Sequence, residues 1–484
     1  MPIGSTRLPP DGVDAPGSAP SANASARPQN VLPARARQDT RRPARNAGAG
    51  GCNQASGDWD RNAQPRREGS MGKLALTGGT PVGTPRKDPW PPIDDDDRQA
   101  LLRVLESRQW CRLTENSEVG RFEQEYARYH DAKHAVAVAN GTVAIELALL
   151  AAGIEAGDEV IVPAVTFIAT ASAVSMVNAV PVFVDIDPET ASIDPAAVEA
   201  AITPRTRAIL GVHYGGYPID FDRLVPIAQK HGLSLIEDCA HAHGTEWRGR
   251  KVGAIGRAGT FSFQMSKSLP GGEGGIVLTD DDELFERALL LHNIGRSMKL
   301  REYGHVVVAS NYRLSEFQGA ILGSQLKKLP PQIERKHENG EWLAAELSRI
   351  GGLRPLKRDP RITKRGYYFF ILWYEKEEFG GAPRERFVEA LNAEGPALLW
   401  DGYGRPLYQN RAYQKEGRGN TGPVRVPSLN PGPDYDNMHL PVSERFCYEQ
   451  QLVMLHDWLL ADRSELQKLV DAVAKIKENK DELR

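Results

Sequence analysis

Two side chains near the middle of the chain, the carboxylate of Asp238 and the amine of Lys267, are set where they could act together. The apolar run 233–236 ends in Glu237-Asp238 and reads as a buried parallel strand with a carboxylate at its C-terminal end, where open α/β sheets place ligands. Residues 259–263 read as a second such strand, with Lys267 shortly after it, then the glycine-rich run 271–275 and a third strand over 276–279. A lone lysine or aspartate is usually a solvated surface group, but these two border apolar strands. A buried carboxylate keeps a pyridine nitrogen protonated, and an amine holds an aldehyde as a Schiff base. Pyridoxal 5'-phosphate is a cofactor that needs both. The glycine run does not make a dinucleotide site or P-loop, because a strand rather than a helix follows it.

A phosphate needs its own seat, and one is legible upstream. The short apolar strand 135–139 ends in Asn140-Gly141-Thr142, after which Ala144, Ile145, Leu147 and Ala148 open a helix. Backbone N–H groups at a helix start, helped by the Thr142 hydroxyl, bind anions, although Thr142 reads equally well as a plain cap. The strand 159–165 delivers Thr166-Phe167 at its end, and an aromatic there would stack on a pyridine face; taken singly, Phe167 is more often core.

The elements that must carry these groups alternate. Helices are expected over 94–110, 118–130, 169–178, 194–202, 221–231 and 282–292, and further strands over 180–185 and 207–213. Short links between strand and helix imply a mostly parallel sheet covered on both faces, an α/β fold. From about residue 330 a helix over 333–350, a strand over 367–373 and a terminal helix over 464–476 read as a smaller α+β domain. The expected division is therefore 1–70, 71–325 and 326–484. Residues 1–70 are rich in Pro, Ala, Gly, Ser and Arg, lack Lys, and read as a disordered low-complexity extension. Met71 is a candidate initiator, an idea that an intact mass beginning at Met1 would end.

Composition narrows the partners. A net charge of -3 gives no reason to expect nucleic acid or an anionic membrane. Cys52, Cys111, Cys239 and Cys447 are far apart with no CxxC pair, so neither a disulfide framework nor a metal site is expected, and a cytoplasmic location fits. The apolar stretch 135–153 is interrupted by Asn140 and Glu146, so no membrane span is expected.

The segments Glu237-Asp238-Cys239-Ala240-His241-Ala242-His243-Gly244, Phe261-Ser262-Phe263-Gln264 with Lys267, and Gly272-Glu273-Gly274-Gly275 resemble, in this order and spacing, the DegT/DnrJ/EryC1/StrS family of pyridoxal-phosphate sugar aminotransferases. The resemblance covers nearly everything after residue 70 and is strongest to the cyclitol branch, scyllo-inosose and 2-deoxy-scyllo-inosose aminotransferases and 3-amino-5-hydroxybenzoate synthases. Residues 379–381 and 441–445 also look like segments of that branch. It implies a fold-type I transferase in which Lys267 holds the cofactor, Asp238 meets its ring nitrogen, and Gly141, Thr142 and Ser262 bind its phosphate. It further implies that Phe167 stacks on the ring and that His241 lies near the ring hydroxyl, a position where many sugar aminotransferases carry Gln and benzoate synthases carry His.

The run Ser310-Asn311-Tyr312-Arg313-Leu314-Ser315-Glu316-Phe317 resembles a family motif whose asparagine reaches the cofactor phosphate of the neighbouring subunit. The implication is a homodimer with shared active sites, while Asn311 on its own reads as a helix cap. By the same resemblance the amino donor is glutamate or glutamine and the acceptor a keto-sugar or keto-cyclitol, with Arg313 a candidate for the donor carboxylate. An aromatising aminobenzoate synthase is the nearest alternative, because 90–112 and the His241 motif look like that group too. A sugar dehydratase is disfavoured by Lys267, since such relatives replace the lysine with histidine. A cofactor-binding transcription regulator would need a helix-turn-helix segment, which residues 1–70 do not offer.

Overall fold

The structure is a computed structural model that describes residues 72–112, 117–297, 304–414, 430 and 432–484. The extension expected over 1–70 and the initiator expected at Met71 lie outside the described residues.

Helix α1 (Asp95–Ser107) opens on a capping box between Asp94 and Asp97, and α2 (Glu118–Tyr129) is capped by the Ser117 hydroxyl. Then β1 (His134–Val138), α3 (Gly141–Ala151), β2 (Glu159–Pro163), α4 (Ala169–Met176), β3 (Val180–Val184), α5 (Pro195–Ala200), β4 (Thr206–Val212), α6 (Phe221–His231) and β5 (Ser234–Asp238) alternate as expected. The two-residue strands β6 (Glu246–Trp247) and β7 (Arg250–Lys251) precede β8 (Ala258–Ser262), β9 (Gly275–Thr279) and α7 (Asp282–His292).

Seven of these strands form one sheet in the order β1-β9-β8-β5-β4-β2-β3. All its pairings are parallel except those of β9, which runs antiparallel to both β1 and β8. Strand residues alternate between two cores: Ile161, Val184 and Ile209 pack with α2 and α6, whereas Val160, Phe183 and Leu210 pack with α3 and α4. Every position of β2, β8 and β9 is buried, which is why these segments read as apolar runs instead of alternating ones.

Helix α8 departs from expectation. It begins at Glu316, not at 333, and runs 35 residues to Ile350 through Pro330 and Pro331. Ser315 and Gln318 form its capping box, and Leu322, Leu326, Leu329 and Ile333 keep one apolar face against the large sheet's core. That packing carries the helix across two prolines that locally signal a break. The boundary expected at 325/326 falls inside this helix.

Beyond it come β10 (Leu353–Pro355), β11 (Ile362–Lys364), β12 (Phe369–Tyr374), α9 (Arg384–Glu394), α10 (Pro441–Arg445), β13 (Gln451–Leu455) and α11 (Arg463–Glu478). Strands β10, β12 and β13 form an antiparallel sheet, and β11 pairs with β6. Phe370, Leu372, Phe387, Leu469 and Val473 share a core with Leu343 and Leu347 of α8. Among the described residues no helix is long and apolar enough to cross a membrane.

Candidate active site

The end of β5 is pinned from behind. Glu237, fully buried, accepts backbone N–H groups from Gly253 (2.7 Å), Ile255 (2.9 Å) and Gly256 (2.6 Å), and lies 3.0 Å from His213 Nε2. Cys239 completes a buried His213–Glu237–Cys239 group in which the carboxylate is already saturated by these donors. Successive strand residues face opposite ways, so fixing Glu237 aims Asp238 to the other side. Asp238, only 5% exposed, accepts the Thr170 hydroxyl at Oδ2 (2.8 Å) and the Ala240 N–H at Oδ1 (3.1 Å).

Lys267 sits on a turn that folds back after β8. Its N–H donates to Gln264 O (2.8 Å), Met265 N–H to Gly272 O (2.9 Å) and Gly271 N–H to Phe263 O (2.7 Å), so the glycine run closes the turn that presents the lysine. The Nζ atom lies 4.2 Å from the centre of the Tyr368 ring. Burial disfavours its charged form and pulls its pKa down to about 8, with the Asp238 charge opposing the fall.

The start of α3 falls where the sequence placed it, with a different cap. Asn140, not Thr142, caps α3 by accepting Val143 N–H at 3.0 Å. The N–H groups of Gly141 and Thr142, the first two residues of the helix, have no acceptor within it. A Cβ at Gly141 would lie 2.6 Å from Ser262 Cβ, so glycine is what lets the helix start and the end of β8 meet.

These groups converge on one cavity of about 790 Å³. Its lining holds seven of the eight expected residues: Gly141, Thr142, Phe167, Asp238, His241, Ser262 and Lys267. Phe167 is 50% exposed, and its ring is 5.6 Å from that of Tyr403. His241 is buried, which drives its pKa well down; its Nδ1 accepts Gly215 N–H (3.3 Å), leaving Nε2–H to face the Tyr403 oxygen at 3.3 Å. Asn311 does not line the cavity. It is exposed, its backbone bridges to Asn293, and its Oδ1 accepts Arg313 N–H (3.3 Å), while Ser315 does the capping of α8 that Asn311 could have done. Arg313 is also outside, bonded to Asn293 Oδ1 at 2.7 Å.

Sequence reasoning missed Thr170, Tyr368, Trp400, Tyr403 and Glu146. The last four line the cavity, and Thr170 stands behind Asp238. Thr170 carried a faint signal, lying one helical turn beyond Thr166 at the end of β2, whose hydroxyl is 3.1 Å from its own.

A mostly parallel sheet with Asp238 at one strand end and Lys267 on the turn after a neighbouring strand define a fold-type I transaminase. More narrowly, the chain belongs to the DegT/DnrJ/EryC1/StrS aminotransferase family, whose model matches residues 91–453. It is 41% identical over 428 residues to the L-glutamine:2-deoxy-scyllo-inosose aminotransferase of Streptoalloteichus tenebrarius, covering 85% of this chain and 99% of that one. It is 43% identical over 305 residues to the 3-amino-5-hydroxybenzoate synthase of Amycolatopsis mediterranei, covering 62% of this chain and 78% of that one. The crystal structure of a 3-amino-5-hydroxybenzoic acid synthase superposes with a TM-score of 0.71 at 36% identity, covering 81% of this chain and 99% of that one.

Proposed function

We propose that this aminotransferase uses pyridoxal 5'-phosphate to move an amino group from glutamine or glutamate to a keto-cyclitol or keto-sugar in aminocyclitol or amino-sugar biosynthesis. What carries the reading is the convergence of Asp238, Lys267 and the start of α3 on one cavity. The donor set fits the cofactor, with an amine for its aldehyde, a carboxylate for its ring nitrogen and a helix N-terminus for its phosphate. The cavity volume also falls in the range of small-molecule sites. The glutamine and inosose named for the Streptoalloteichus relative supply the donor and acceptor classes.

When bound, the cofactor supplies an aldehyde that takes up amines and a cationic ring that withdraws electrons. Lys267 Nζ, with its pKa near 8, is able to give and take a proton near neutral pH, which suits the amine for moving a proton between the donor α-carbon and the cofactor carbon. Asp238, held by Thr170 and Ala240, offers the acceptor for a ring N–H. Gly141, Thr142 and Ser262 would hold the phosphate, Phe167 would stack on the ring, and neutral His241 would lie near the ring hydroxyl. Asn311 serves the cavity of a second copy, so the active form in this reading is a homodimer, located in the cytoplasm. The large domain 71–325 carries the cofactor seat, and the smaller domain 326–484 closes the cavity with Tyr368, Trp400 and Tyr403.

The test is to convert the purified enzyme to its amino-cofactor form with glutamine or glutamate, then offer ketones of each class. Recovery of the original absorbance with a keto-cyclitol or keto-sugar supports the reading, and no recovery with any ketone ends it. A second reading, aromatising synthesis of an aminobenzoate, draws on the likeness to the Amycolatopsis synthase. An ultraviolet-absorbing aromatic product from an aminoshikimate-type precursor would favour it.

A further inference from the structure

Tyr368 stands just before β12, far from the motifs around Lys267, yet it touches the lysine turn at two points. Its ring lies under Lys267 Nζ at 4.2 Å, and its hydroxyl is 2.9 Å from Ser266 Oγ. Ser266 Oγ gives its only proton to Gln264 Oε1 at 2.7 Å, so in the second contact Tyr368 is the donor. The same serine's carbonyl accepts His456 Nε2–H at 2.8 Å, and His456 N–H returns to Tyr368 O at 3.0 Å. The ring is itself fixed by stacking on His241 at 4.1 Å and 21°. Tyr368 is buried and thus keeps one orientation.

We infer that Tyr368 is a positioning residue for Lys267: its hydroxyl sets the turn at Ser266 and its ring face seats the ammonium form of the lysine once that amine is free of the cofactor. The charged and titratable groups facing Lys267 are few. Asp238 favours its cation, whereas His241 and His243, both buried and held neutral, give it no counter-charge. A ring quadrupole in a desolvated site attracts an ammonium, so the face of Tyr368 offsets part of the cost of burying the charge. The inference rests on Lys267 being the reactive amine of the proposed function.

The experiment is carbamylation by cyanate of the full-length protein after removal of cofactor, from about pH 6 to about pH 10, with the rate at Lys267 read by peptide mass spectrometry. Wild-type Lys267 is expected to react with an apparent pKa near 8. In Tyr368→Leu, which removes the ring but stays apolar, the pKa is expected to fall by about half a unit to one unit. Tyr368→Phe keeps the face and should keep the wild-type pKa, while loss of the hydroxyl should speed amide hydrogen exchange across residues 264–267; unchanged exchange there would overturn the hydroxyl's part. Pentafluorophenylalanine at position 368 keeps ring shape, inverts the quadrupole, and should show the fall even if the leucine variant does not fold. An unmoved or higher pKa in both ring-altering variants overturns the inference. Borohydride reduction of the loaded wild-type protein that tags a side chain other than Lys267 would instead undermine its assignment as the reactive amine, whatever the variants show.

Discussion

Thr170, on α4, donates its hydroxyl at 2.8 Å to Asp238 at the end of β5, so a helix from one crossover steadies the carboxylate delivered by another. Thr170→Val removes this donor at nearly constant volume. A hydrogen bond to a charged group contributes about 1.5–3 kcal/mol, so kcat is expected to fall roughly tenfold to a hundredfold with the cofactor still bound. Asp238→Asn should fall further. Steady-state kinetics with saturating donor checks both, and an unchanged kcat in Thr170→Val would remove that residue from the account.

Lys267→Ala takes away the amine that lines the cavity. Cofactor should still bind through the start of α3, but borohydride should no longer fix it to the chain. Activity should drop by at least about a hundredfold to ten-thousandfold, the usual range for a positioned acid–base group. Peptide mapping of the reduced wild-type protein should place the tag on Lys267; a tag elsewhere would refute the assignment.

Gly141→Ala pushes a methyl to within 2.6 Å of Ser262 Cβ, and the end of β8 must shift to admit it. Cofactor affinity, followed by spectroscopic titration, should weaken by about tenfold or more, since each lost phosphate contact is worth about 1.5–3 kcal/mol. Affinity equal to wild type would mean that the phosphate sits elsewhere.

Lys336, fully buried on α8, donates Nζ–H to Ser268 Oγ at 2.8 Å, and burial pulls its pKa down to about 7, against the opposing charge of Asp457. A lysine whose folded pKa is depressed binds fewer protons folded than unfolded between about pH 7 and its ordinary value near 10.4. Stability should therefore rise with pH across that window, the penalty being complete below it and gone above it. Lys336→Met should flatten the rise and stabilise the protein at pH 7 by a few kcal/mol, because displacing a titration by one pH unit corresponds to about 1.4 kcal/mol. Denaturant melts at stepped pH measure it, and parallel curves for the two proteins would refute it.

Asn311→Ala and Lys267→Ala should each be inactive as pure proteins if Asn311 serves the other copy's cavity. Mixed at equal amounts after dissociation, they should regain about a quarter of wild-type activity, because half of a random mixture is heterodimer with one intact site in two. No recovery would place Asn311 in its own subunit's site, and an Asn311→Ala protein that is active on its own would place it in none.

Most of the large sheet was readable because its strands are buried on both faces and bounded by turns, and Asp238 stood out as a carboxylate closing such a run. Lys267 and Gly141 were readable from spacing and from the resemblance. Direction was not readable: nothing in the apolar pattern of 276–279 distinguishes an antiparallel β9 from a parallel one, since both bury every side chain. The start of α8 was hidden because Pro330-Pro331 signals a break locally, whereas packing against the sheet carries the helix through. Tyr368 and Tyr403 were hidden for another reason. A tyrosine in an apolar segment reads as core, and only the folded chain brings either of them to the lysine or to His241.

The uninterrupted α8 constrains how the cavity can breathe. One rod joins the core beneath the large sheet to the core of the C-terminal sheet, so the tyrosine side of the cavity is tied to the lysine side by a helix as well as by its own contacts. Any gape wider than side-chain rearrangement must bend this rod, and it is weakest at Pro330-Pro331, where ring nitrogens leave carbonyls of the preceding turn without donors. The two cores that flank the cavity thus share one helix, with its only prolines at its middle.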